Sequence, residues 1–191
     1  RSPCRECCPV VLSAVGVPHE FVDARFANYR TDQGNASALS KARAFLDGDR
    51  DLYLVGGVGA GKTRLACTLA NEWHLQRRYA RFVRVPRLLY ELQAGDEQAR
   101  ELERQLESVP LLVLDDIGAE REQSSDYTRR TILMLYEERG DRGLRTVWTS
   151  NKSLSELSAM QNDDRLASRL GGRADVVRLT TGDQRVMRRV K

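Results

Sequence analysis

No apolar run in this chain approaches the 18 or more residues that a membrane span needs, and its start does not read as a signal peptide. The cytoplasm is therefore the expected compartment, with no membrane partner. Disorder is excluded as well, because 41% of the 191 residues are hydrophobic and 30% are charged. No internal repeat is visible. The chain opens on Arg1 rather than Met, so a segment upstream is expected. Lysine is also scarce: Lys41, Lys62, Lys152 and Lys191 are the only lysines among 31 Lys and Arg residues. One of those four occupies a slot where a compact, flexible ammonium serves better than a planar guanidinium.

That slot lies in Gly56-Gly57-Val58-Gly59-Ala60-Gly61-Lys62-Thr63. Glycines let a backbone curl until consecutive N–H groups face an anion, and a helix starting there adds its positive end. Lys62 can then reach the β- and γ-phosphates of a nucleoside triphosphate, and the Thr63 hydroxyl can ligate Mg²⁺. The flanks agree with this reading. Asp51 to Val55 is a short apolar strand, and Leu65, Leu69 and Trp73 recur at helical spacing from Lys62 to about Arg78.

Downstream, strand and helix alternate. A helix is expected over Ala36–Leu46, capped near Asn35 and stopped by Gly48. Strands are expected at Arg81–Val85, Leu111–Leu114, Thr146–Thr149 and Val176–Leu179. Helices are expected over Arg87–Val109 with a break at Gly95, over Asp126–Arg139, and over Asp164–Leu170 with Gly171-Gly172 ending the last. The alternation implies an α/β fold with a mostly parallel sheet, whose ligands bind beyond the C-terminal strand ends. Residues 1–34, punctuated by Pro9, Pro18 and Gly34, read as a linker and the stub of another module.

The strand ends carry the remaining chemistry. Asp115 can hold Mg²⁺ directly or through its water, and Asp116 is placed to orient or deprotonate an attacking water. The second acid in most hydrolysing sites of this design is Glu, one methylene longer. Asn151, after Thr149-Ser150, could hold that water or touch the γ-phosphate without adding charge. Arg165 and Arg169 are four apart and share a helix face, from which a guanidinium could complete a neighbouring subunit's site. Arg185 could reach nucleotide in its own chain. Eight Lys/Arg and two Asp/Glu fall in residues 165–191, against 23 and 25 in the first 164. The basic end fits nucleic acid, an acidic partner or a solvated face. Cys4 and Cys7 have half a zinc site's spacing, with His19 the one nearby candidate to join them; plain thiols are the alternative.

With these pieces in hand, the chain from about Val17 onward resembles the AAA+ ATPases of the DnaC/DnaI helicase-loader and IstB family. The likeness rests on Val17-Pro18-His19-Glu20-Phe21, Phe26-Ala27-Asn28-Tyr29, the glycine loop, Leu111 to Gly118, Ser125-Asp126-Tyr127, Thr149-Ser150-Asn151 and Arg165 to Leu170. The resemblance implies a P-loop NTPase sandwich with a five-stranded parallel sheet ordered 5-1-4-3-2, filling residues 35–191. It implies ATP and Mg²⁺ as ligands, held between subunits of a ring or spiral. Asn151 then looks like sensor 1, Arg169 like the trans-acting finger with Arg165 nearby, Arg185 like sensor 2, and Cys4/Cys7 like the tail of a zinc module. The implied role is loading a replicative DnaB-type helicase, with single-stranded DNA as a second partner. The alternatives are the ATPase partner of a transposase and a small-molecule kinase. A kinase usually needs an Arg-rich lid, which the sequence does not offer. In these loaders the insertion before the acidic strand touches DNA, but here residues 86–109 hold six acids and three arginines, leaving Arg84, Arg87 and Tyr90 as possible contacts.

Overall fold

A computed structural model describes residues 15–119, 126–161 and 164–180. Five strands form one parallel sheet: β1 (Asp51–Gly56), β2 (Ala80–Arg84), β3 (Leu111–Ile117), β4 (Arg145–Ser150) and β5 (Ala174–Leu179), in the order β2-β3-β4-β1-β5. Read from the other edge this is 5-1-4-3-2, as the family resemblance implied. The helices are α1 (Ala36–Asp47), α2 (Lys62–Leu75), α3 (Val85–Leu92), α4 (Glu97–Ser108), α5 (Asp126–Asp141), α6 (Leu154–Gln161) and α7 (Arg165–Arg173).

Alternation along each strand divides the core in two. Leu52, Leu54, Leu111, Val113 and Val147 join one apolar layer with α1 and α2. Tyr53, Val55, Leu112, Leu114 and Trp148 join the other, with residues of α3 through α7. Because both faces are covered, the central strands read as near-continuous apolar runs. The edge strand β5 instead exposes Asp175, Val176 and Arg178. Crossing from β1 out to β2 and back brings the C-terminal ends of β3, β4 and β1 side by side.

Several details differ from the sequence expectations. β3 continues through both acids to Ile117. The Gly171-Gly172 pair does not end α7, which runs on to Arg173. Glycine costs about 1 kcal/mol in a helix, but Leu166 and Leu170 are buried and Arg173 stacks on Tyr136, 4.5 Å from the ring centroid. A further helix, α6, was not anticipated. Its start is a capping box: the Ser153 amide donates to Glu156 Oε2 at 2.7 Å, and the Glu156 amide donates to Ser153 Oγ at 3.3 Å.

Residues 15–34, expected as linker, lie packed along α2 with two 3-10 turns, His19–Phe21 and Phe26–Asn28. Val15, Val17 and Ala24 are buried. Asn71 Nδ2 donates to the carbonyls of Phe21, Val22 and Ala24, and the Phe26 amide donates to Glu72 Oε1. Those partners lie some fifty residues away in sequence, so no local pattern announces them.

Candidate nucleotide site

The phosphate loop starts where β1 ends, and its first glycine has a steric cause. A Cβ on Gly56 would lie 2.4 Å from the Leu179 carbonyl oxygen of β5. Gly59 and Gly61 have φ of +75° and +90°, which side chains rarely adopt. Gly61 is also the N-cap of α2. Its carbonyl accepts the Leu65 amide at 2.9 Å and the Tyr29 hydroxyl at 3.3 Å. Burial pushes that Tyr29 hydroxyl up to about 12, so it stays a neutral donor. Arg64 stacks over the same ring and donates to the Asn28 carbonyl.

Lys62 is the hub. Only 7% exposed, its Nζ donates to the carbonyls of Gly56 at 2.9 Å and Gly57 at 2.8 Å, and to Asn151 Oδ1 at 2.6 Å. Asn151 Nδ2 in turn lies 3.5 Å from Asp116 Oδ1. The structure therefore joins ammonium, amide and second acid into one chain of contacts across β1, β4 and β3.

Next to it, Asp115 Oδ1 accepts the Thr63 hydroxyl at 3.0 Å and the Thr149 hydroxyl at 2.7 Å. Burial raises the Asp115 pKa above the usual carboxylate value; the two hydroxyl bonds oppose that shift and the neighbouring Asp116 charge adds to it. The residues suit Mg²⁺. Thr63 Oγ1 gives its proton to Asp115 and keeps lone pairs for a cation, and oxygen donors are what Mg²⁺ takes. Among the described residues no three His, Cys, Asp or Glu side chains cluster into a metal site of their own. Phosphate oxygens are the usual complement to such a sparse donor set.

Arg165 and Arg169 are exposed on α7, and Arg169 Nε pairs with Glu137 Oε1 of α5 at 3.1 Å. Cys4, Cys7 and Arg185 lie outside the described residues, and His19 is exposed. Sequence reasoning passed over two residues that the geometry brings into the site. Tyr29 touches the loop glycine. Thr149 bonds both acids, since its Oγ1 also accepts the Asp116 amide at 2.9 Å. Both residues stood in stretches that carry the family resemblance, Phe26 to Tyr29 and Thr149 to Asn151, but without a role of their own, because a Thr is too common in strands to stand out.

The sequence profile of the IstB-like ATP binding proteins matches residues 12–190. The chain belongs to that family. In family this chain is an IstB-like ATP binding protein, and its five-stranded sheet with the glycine loop after β1 has the P-loop AAA+ architecture. It is 33% identical over 133 residues to a putative insertion sequence ATP-binding protein of Sinorhizobium fredii, a match covering 67% of this chain and 53% of the relative. It is 34% identical over 111 residues to the replicative helicase loader DnaI of Bacillus subtilis, covering 56% of this chain and 35% of the relative. A crystal structure of DnaI superposes with a TM-score of 0.71 at 28% identity, over 85% of this chain and 94% of that one. The IstB-like chain thus spans about half of the first relative and about a third of the second.

Proposed function

We propose that this chain binds and hydrolyses MgATP as an assembly switch, and that its partner is a replicative DnaB-type helicase. The contact chain from Lys62 through Asn151 to Asp116 carries the reading, because it links the group that neutralises a γ-phosphate to the acid that handles water. In this reading the amides of residues 57–62 cradle the phosphates and Lys62 turns to the β- and γ-oxygens. Thr63, with Asp115 behind it, holds Mg²⁺, which supplies positive charge against the triphosphate. Asp116 and Asn151 hold a water in line with the γ-phosphorus. Its oxygen bonds to phosphorus as the bridging β–γ P–O bond breaks, ADP leaves with the electron pair, and the water's proton passes toward Asp116. A neighbouring copy presents Arg169, with Arg165 beside it, to the transferring phosphoryl group. Arg185 reaches the nucleotide from within the same chain.

The ATPase unit in this reading is residues 35–191, with 15–34 lying along it. Residues 1–14 belong to an N-terminal module in which Cys4 and Cys7 supply two zinc ligands. Metal analysis of the protein before and after Cys4→Ser/Cys7→Ser substitution checks that point, and unchanged zinc content removes it. Single-stranded DNA would meet the exposed Tyr90 and Arg87 on α3.

Lys62→Ala should abolish turnover and weaken ATP binding by about 100-fold or more. Unaltered affinity would end the site assignment. A second reading, the ATPase partner of an insertion-sequence transposase, is favoured by the family match and the Sinorhizobium relative. Pull-down of the ATP-loaded chain against a hexameric replicative helicase and against an IS21-type transposase separates the two. Capture of the transposase alone would overturn the helicase assignment.

A further inference from the structure

The ladder between β3 and β4 carries one residue too many on β3. Leu114 pairs with Trp148 and Ile117 with Ser150, so three steps on one strand oppose two on the other. The surplus is taken up at the two acids, where Asp116 has φ of +66°. Side chains seldom adopt that region, although Asp tolerates it better than most. Such bulges re-aim a side chain, and here the one re-aimed is the acid facing the loop lysine's partner.

A bulged amide needs an acceptor, and Thr149 provides it. Its Oγ1 accepts the Asp116 amide at 2.9 Å and donates its only proton to Asp115 Oδ1 at 2.7 Å. The residue is 1% exposed, so no solvent competes for either bond. One hydroxyl thus fixes both acids: it takes one lone pair of Asp115 and pins the backbone of Asp116 in its left-handed turn. The rest of the strand end is braced independently, with Ser150 Oγ donating to the Ile117 carbonyl and the Tyr53 hydroxyl to the Lys152 carbonyl, both at 2.7–2.8 Å.

We infer that Thr149 is a positioning residue for hydrolysis: its hydroxyl sets the aim of Asp116 through the bulge amide and couples that aim to Asp115. The inference rests on Asp116 being the acid that handles the attacking water. The Thr149 hydroxyl is bonded to the two acids at the strand end, so its removal should act on the chemical step more than on nucleotide capture.

Thr149→Val keeps shape and removes the hydroxyl, whereas Thr149→Ser keeps the hydroxyl and removes the methyl. In steady-state ATPase assays of the full chain, Thr149→Val should lower kcat by about 10- to 100-fold, the scale of a small misplacement of a reacting group. KM for MgATP should change by less than about threefold, as for an interaction made only in the transition state. Thr149→Ser should recover most of kcat. Equal loss in the Val and Ser variants would mean packing alone, and full turnover in the Val variant would leave the hydroxyl without a role; either overturns the inference. Asp116→Asn runs beside them. If it keeps wild-type turnover, the functional reading itself falls and takes this inference with it. If it is inactive while Thr149→Val is fully active, only the inference fails. A readout free of nucleotide comes from amide exchange: the Asp116 N–H of the wild-type protein should be slowed at least about tenfold against an open chain. Rapid exchange there would refute the bond even if the Val variant does not fold.

Discussion

Asp51 sits at the end of β1 opposite the phosphate loop, and it shows how far one buried carboxyl can be tied without becoming a catalytic group. The Thr146 amide donates to its Oδ1 at 2.7 Å, the Tyr136 hydroxyl donates to its Oδ2 at 2.6 Å, and Arg173 lies 3.6 Å away. Burial outweighs these bonds and raises its pKa in the fold. The folded chain then holds a proton that the unfolded chain has released above about pH 3.9. Asp51 should therefore contribute most to stability below that pH, and the contribution should fall as pH rises through the folded value. Urea unfolding of the wild type and of Asp51→Asn between pH 3 and 7 tests this. The difference between them should shift against the wild type as pH rises, and a difference that grows in its favour would contradict the shift. Gly56 makes a plainer case. A methyl there meets the Leu179 carbonyl oxygen at 2.4 Å and its carbon at 3.3 Å, both backbone, so β1 and β5 must part. Gly56→Ala should cost about 1–3 kcal/mol in denaturant unfolding, the usual scale for forcing a methylene into a packed site.

At the scale of elements, α2 does more than present the phosphate loop. Arg64, Asn71 and Glu72 on one of its faces hold backbone groups of residues 21–28, while Tyr29 returns to Gly61 at its N-terminus. Asn71→Ala should cost about 1–3 kcal/mol through the carbonyls it leaves unbonded. The loss should appear as faster amide exchange over residues 15–30 than in the sheet; uniform acceleration would mean that the strap has no stability of its own. Local signals explain what could be read from sequence here. The loop, the apolar strands and α2 each rest on neighbours within a few residues, and the order loop, acid, polar strand end was enough to assemble Lys62, Asp115, Asp116 and Asn151. The capping box of Ser153 and Glu156 was equally readable, yet it lay in a stretch of weak periodicity. The strap along α2, the bulge at Asp116 and the bond from Thr149 depend on partners 33 to 50 residues away, beyond any sequence pattern.

For the whole molecule, the contact that bears on assembly lies on α7. Arg169 and Glu137 form a surface pair, with side chains 61% and 42% exposed. Such pairs are worth about 0–1 kcal/mol, so a triphosphate presented by a neighbouring copy would outbid the carboxylate. The basic balance of residues 165–191 points the same way, because that segment begins on the helix bearing Arg165 and Arg169. If the neighbour supplies the finger, Arg169→Ala chains retain an intact Asp116 and Asp116→Asn chains retain an intact finger. Each alone should turn over ATP poorly. In a head-to-tail assembly mixed one to one, a productive interface needs the first kind as site and the second as finger donor, which random pairing supplies at about one interface in four. Turnover of the mixture should thus rise toward a quarter of the wild-type rate, and should do so more steeply with protein concentration than either variant alone. A mixture no faster than the average of its components would place the whole catalytic apparatus within a single chain, and the pair with Glu137 would then be no more than a surface contact.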